Sequence, residues 1–159
     1  MDFLYLGKIV NTHGIKGEIR IISDFKYKSD VFKIGNKLYI GSNKTEEEIN
    51  SYRVHKNYDM VTLKGINDIN DVLKYKGLNV YINRNDYNFN GIIYEDLIGM
   101  EVYSKDKFIG NVDEVLKSSA HPILKVSNSM IPFIDEFILN VDNNKKRIDI
   151  NEIDGLINK

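Results

Sequence analysis

Short runs of β-branched and aromatic residues, broken by Gly, Asn and Asp, recur along almost the whole of this chain, and no other feature limits its fold so strongly. Runs of this kind make strands joined by tight turns, and many of them at close spacing make barrels or sandwiches. In the first half the strands are expected over residues 3–10, 18–23, 37–40, 49–55, 60–63 and 78–82. In the second half they are expected over 100–103, 108–116, 123–126, 130–134, 137–141 and 147–150. A last strand returning to the first is the economical way for so small a domain to hide its exposed edges. Pro132 falls inside one run, so that strand belongs at an edge or a bulge, since proline donates no ladder hydrogen bond.

One segment breaks the rhythm. Between Asn67 and Gly77, the residues Ile69, Val72, Leu73 and the stem of Lys76 fall at helical spacing. Asn67 suits the N-cap, Asp68 and Asp71 the positive end of the dipole, Lys74 and Lys76 the negative end, and Gly77 the stop. Residues 83–91 are polar and rich in asparagine, with neither period, which reads as a linker. The expected fold is therefore mainly β: two small β-barrel domains joined by a short linker, with one short helix in the first domain. The boundaries are 1–83 for the first barrel, 84–92 for the linker and 93–159 for the second barrel.

Length and composition agree with this and restrict the setting. The chain has 159 residues and is 42% hydrophobic, enough for packed cores. Without cysteine it can build no disulfide and no thiolate metal site, which fits a reducing compartment. The start MDFLYLGKIV lacks a signal peptide's basic end and unbroken apolar run, and no stretch approaches the roughly 20 apolar residues that span a bilayer. A cytoplasmic location without membrane contact is expected. The net charge of −1 argues against a protein held to nucleic acid mainly by phosphate neutralisation. The charge is unevenly placed, however: residues 1–83 carry 13 basic and 10 acidic side chains, and residues 84–159 carry 9 and 13. A basic half beside an acidic half suits a molecule near RNA that grips a basic protein, although differences this small also arise by chance.

No convergent chemistry stands out. His13, His55 and His121 are far apart in sequence and lack i, i+4 partners, so they give no local support for a zinc site. The glycine-rich nucleotide and nucleophile-elbow motifs are absent. The carboxylates of residues 46–48 and 135–136 sit beside turns, where solvated charge is the usual explanation. Neither an enzyme nor a cofactor nor a metal is expected.

Three segments invite a binding role. In residues 12–18, Gly14 and Gly17 permit positive φ, so a hairpin tip can present His13, Lys16 and backbone amides, though an ordinary turn has the same composition. In residues 92–100, apolar and aromatic residues begin directly after the polar linker, either packing inside or forming an exposed anchor for a partner. Between residues 25 and 37, Lys26, Lys28, Lys33 and Lys37 alternate with Phe25, Tyr27 and Phe32, a pattern shared by RNA-contacting loops and by solvated loops with core anchors.

On these residues the chain resembles the ribosome maturation factor RimM family. Residues 7–21, with the His13-Gly14 turn, Lys16 and Gly17-Glu18, are similar to the family's opening signature. Residues 96–102, 109–112, 131–134, 141–142 and the closing Asp154-Gly155-Leu156 are similar to its PRC-type barrel, in the same order. The resemblance implies a non-enzymatic, monomeric factor with a translation-factor-type first barrel. It implies binding to the immature small ribosomal subunit through a head protein, the nineteenth in small-subunit numbering, and assistance to late assembly and rRNA processing. Under it, Ile92, Ile93, Tyr94 and Asp96 take the ribosomal protein, and His13, Gly14, Lys16 and Gly17 form a turn close to rRNA. The chain departs from the family where many members carry two adjacent aromatics, often Tyr-Tyr, and this one has Ile92 and Ile93. The family's frequent proline before the His-Gly turn is Thr12 here. A PRC-type barrel serving as an adaptor for a non-ribosomal complex is the alternative.

Overall fold

The computed structural model describes residues 1–117 and 120–151, and the chain forms two compact units, Met1–Asn90 and the part from Gly91 onward. In the first, six strands close a barrel: β1 (Phe3–His13), β2 (Glu18–Ile22), β3 (Lys37–Ile40), β4 (Thr45–His55), β5 (Tyr58–Leu63) and β6 (Asn79–Asn83), in the order β1-β2-β5-β4-β3-β6. The expected return of the last strand to the first is present, with Leu4 opposite Ile82 and Tyr5 opposite Tyr81.

Alternation along β1 shows how closure is achieved. Leu4 and Leu6 face inward, but the next inward residue is Ile9, because the register with β6 shifts between Tyr5 and Gly7. The extra residue bends the strand. Gly7 is required at that bend: a Cβ there would lie 2.4 Å from the carbonyl oxygen of Ile22. Ile19, Ile21, Leu38, Ile40, Ile49, Val61, Leu63 and Val80 complete the buried interior of the barrel.

The loop before β3 is not a solvated excursion. It contains a four-residue helix, α1 (Lys28–Val31), after which Phe32 stacks on Tyr52 with centroids 5.1 Å apart. The Lys28 ammonium meets the buried Asp59 carboxylate at 2.9 Å, and the Tyr52 hydroxyl donates to the same carboxylate at 2.7 Å. Phe25 and Phe32 are core residues, Lys28 is spent on Asp59 and Lys37 on Glu48, so anchoring explains most of the alternation of cations and rings.

The single short helix expected between Asn67 and Gly77 is instead two 3-10 turns, Ile69–Asp71 and Leu73–Tyr75. Asp68 rather than Asn67 caps the first, accepting from the Asn70 amide at 2.9 Å. Eleven residues are too few to nucleate an α-helix cheaply, and the segment's task is to bury Val72 and Tyr75. Those two are three apart, and such residues share a face when there are three residues per turn. Leu73, expected on the apolar stripe, is half exposed.

Residues 84–90, expected as linker, pack onto the first unit. A 3-10 turn at Arg84–Asp86 leads to Phe89, which stacks with Tyr27 at 5.1 Å and with Tyr87 at 5.2 Å and meets Phe25 edge-on at 5.5 Å. The Tyr27 hydroxyl donates to the Asn90 carbonyl at 2.6 Å. Burial in this cluster pushes the Tyr87 hydroxyl up to about 12.

The second unit opens with a short helix, α2 (Tyr94–Leu97), followed by β7 (Glu101–Ser104), β8 (Lys107–Leu116), β9 (Ile123–Val126), β10 (Ser129–Pro132), β11 (Ile138–Asp142) and β12 (Arg147–Ile150). The strands form one six-stranded sheet in the order β10-β9-β8-β7-β12-β11. Val102, Val112, Leu124, Val126, Ile131, Ile148 and Ile150 meet in one core with Leu97 and Met100. Strands that far apart in the sheet share a core only if the sheet curls, so this unit is a half-barrel. Pro132 lies in an edge strand, as its missing N–H requires. The β12–β7 pair is parallel, whereas the other strand pairs of the sheet are antiparallel. The motif at residues 154–156 lies outside the described residues.

Candidate functional site

The turn between β1 and β2 is held more firmly than a free hairpin tip. Gly14 and Gly17 have φ of 75° and 82°, and the Gly17 amide donates back to the Gly14 carbonyl at 3.4 Å. A Cβ on Gly17 would stand 2.9 Å from the Asp68 carbonyl oxygen, and the Ile69 amide donates to the Ile15 carbonyl at 3.0 Å. The capped 3-10 segment thus braces the turn from behind. His13, Gly14 and Lys16 are exposed, while Gly17 is buried and supports the tip without presenting it. Ile15, which sequence reasoning passed over, is 83% exposed at the apex.

Strand pairing then gathers groups that are remote in sequence. The rings of His13 and His55 lie 6.5 Å apart and nearly parallel, although the residues are on β1 and β4. His13 Nδ1 lies 3.3 Å from an Arg20 guanidinium nitrogen, and that guanidinium sits over the Tyr58 ring at 5.0 Å. Arg53 donates to both oxygens of Glu18, at 2.9 and 2.7 Å. These bonds hold the Glu18 carboxyl below its ordinary value. The Glu18 carboxylate is thereby paired with Arg53, beside the His13 and His55 imidazoles and the Arg20 guanidinium. No i, i+4 spacing could have announced it, because the pairing runs through β2 and β5.

In the second unit the segment expected to anchor a partner divides. Ile93 is only 3% exposed, so it is a buried side chain and not an outward anchor. Alternation across an extended entry to α2 places its neighbour differently: Ile92 is half-buried and packs on the core margin. Tyr94 is also half-buried and meets Phe133 edge-to-face at 5.7 Å. Asp96 is half-buried in the first turn of α2, its amide donating to the Ile93 carbonyl at 3.0 Å. Glu95, beside it, pairs with Lys117. Ile92 and Phe133 line a cleft of about 320 Å³ against β11.

Among the described residues no group of three or more His, Cys, Asp or Glu is placed to hold a metal, and no helix is long and apolar enough to cross a membrane. One β unit thus carries a braced turn beside His13, Arg20 and His55, and the other a cleft lined by apolar and polar side chains.

Comparison with known proteins fixes the family. The RimM N-terminal domain matches residues 4–87 and the RimM PRC barrel domain matches residues 94–156. The chain is 36% identical over 167 residues to a ribosome maturation factor RimM of Exiguobacterium sibiricum, covering 99% of each. It is 34% identical over 168 residues to that of Streptococcus uberis, covering 98% of each. The chain belongs to the RimM family. Among solved structures it is similar to a 16S ribosomal RNA processing protein RimM from Pseudomonas aeruginosa, with a TM-score of 0.49 at 19% identity over 96% of this chain and 98% of that one. It is also similar to the N-terminal domain of RimM from Thermus thermophilus, with a TM-score of 0.47 at 18% identity over 56% of this chain and 98% of that one.

Proposed function

We propose that this chain assists maturation of the small ribosomal subunit by binding and not by catalysis. The second unit docks on a head ribosomal protein, the nineteenth of that subunit, and the first unit lies against ribosomal RNA during late assembly and processing. The observation that carries this reading is the match along essentially the whole chain to proteins named ribosome maturation factors. The division of charge supports it, as does the gathering of His13, Arg20 and His55, with Glu18 beside them already paired to Arg53 and Lys16 exposed in the adjoining turn. The entry segment of the second unit, with Ile92 and Tyr94 half-exposed beside Phe133, supplies apolar area for a protein contact without the paired aromatics common in the family.

Co-sedimentation with purified immature small subunits tests it. The chain is expected to travel with immature subunits at low salt and to leave them as salt rises. Lys16→Glu is expected to weaken binding and to lower the salt slope by about 1, as loss of one phosphate contact does. Failure of the unmodified chain to associate at low salt would overturn the reading.

A further inference from the structure

We propose that the cleft beside β11 receives an extended, basic segment of the protein partner, which lies along the open edge of that strand. The inference rests on the ribosomal-protein reading of the second unit and adds the form and charge of what is bound. β11 ends the six-strand order, and among the described residues its ladder partner is β12 alone. An edge strand offers a row of backbone N–H and C=O groups that an extended peptide satisfies and a helix does not.

The cleft beside that edge is lined by Ile92, Phe133, Leu139 and Val141. Leu139 is 60% exposed, although Ile138 and Val141 on the same strand pack on the core. The cause is a register shift between Ile138 and Asn140, which leaves Leu139 and Asn140 exposed in succession. A bulge of this kind aims a side chain outward and also blunts pairing with strands of arbitrary sequence. What the edge accepts is therefore a segment whose own side chains fit alongside Leu139 and into the Ile92–Phe133 cleft.

Charge supplies the rest. The charged lining residue is Asp135, the exposed Glu136 follows it, and no Lys or Arg lines the cleft among the described residues. Lys145 and Lys146, in the turn after β11, are not part of its lining. Complementarity selects a segment carrying lysine or arginine.

Amide hydrogen exchange on the full chain, with the purified nineteenth small-subunit protein as probe, tests the idea together with Leu139→Asp and Asp135→Lys. Slowed exchange over residues 138–142 on binding is expected, with affinity falling about tenfold in Leu139→Asp, as for an apolar anchor. Asp135→Lys is expected to weaken binding several-fold, most strongly at low salt. Binding that leaves exchange over 138–142 unchanged and is indifferent to both substitutions would overturn this inference while the ribosomal-protein reading stood. Absence of any binding by the unmodified chain would overturn both.

Discussion

Glu18 shows how much a single residue gains from pairing that its neighbours in sequence do not reveal. It lies on β2 and Arg53 on β4, and the two meet because β5 runs between those strands. The hydrogen bonds from Arg53 lower the Glu18 carboxyl from its ordinary value of 4.5. A carboxylate so lowered stabilises the fold above its unfolded pKa, and the contribution is lost as pH falls through the folded value. With the Arg53 side chain 50% exposed, solvent screening keeps the effect small. Glu18→Gln is expected to cost about 0.5 kcal/mol near neutral pH. In urea unfolding at a series of pH values, the gap to the parent should close as pH falls below 4.5. A gap that stays constant with pH would assign Glu18 a packing role. The His13–His55 pair belongs to the same lesson: each histidine is visible in sequence, but their proximity arises from pairing across four strands.

Elements were largely legible, because a strand's alternation and its turn residues are local. The expected strands at 37–40, 123–126 and 147–150 match the observed bounds of β3, β9 and β12, and the others differ by a few residues at their ends. The turn at Lys105–Asp106 has both φ values positive, at 50° and 62°, as a two-residue hairpin loop demands. The segment at 67–77 departed from expectation because its helical spacing is real but its length favours two tight turns over one α-helix. Gly7 carries the sharpest prediction at this scale. An alanine there drives a methyl group into the Ile22 carbonyl, and β1 cannot retreat without opening the barrel. Gly7→Ala is expected to destabilise the chain by about 2 kcal/mol, read from the denaturant midpoint. A midpoint equal to the parent's would show that the bend relaxes freely.

For the molecule as a whole, the consequential finding is where the first unit ends. Tyr87 and Phe89 lie beyond the last barrel strand, yet both belong to the cluster with Tyr27 and Phe25. A fragment of residues 1–90 is expected to unfold cooperatively, and one of residues 1–83 to be less stable by about 3 kcal/mol, comparable to removing a buried aromatic. Equal stability of the two fragments would show that the stack contributes nothing to the barrel.

From sequence alone came the β class, the strand and turn positions and the resemblance that marks the family, since each depends on residues close together along the chain. Tertiary structure decided what depends on contacts between distant residues. It set β12 parallel to β7, and buried Ile93 while leaving Ile92 at the margin of a cleft. It also drew Phe89 out of an apparent linker onto Tyr27. Period and turn chemistry state which face of a strand is apolar, but which surface covers that face is settled only by the competition among all the surfaces the chain must bury.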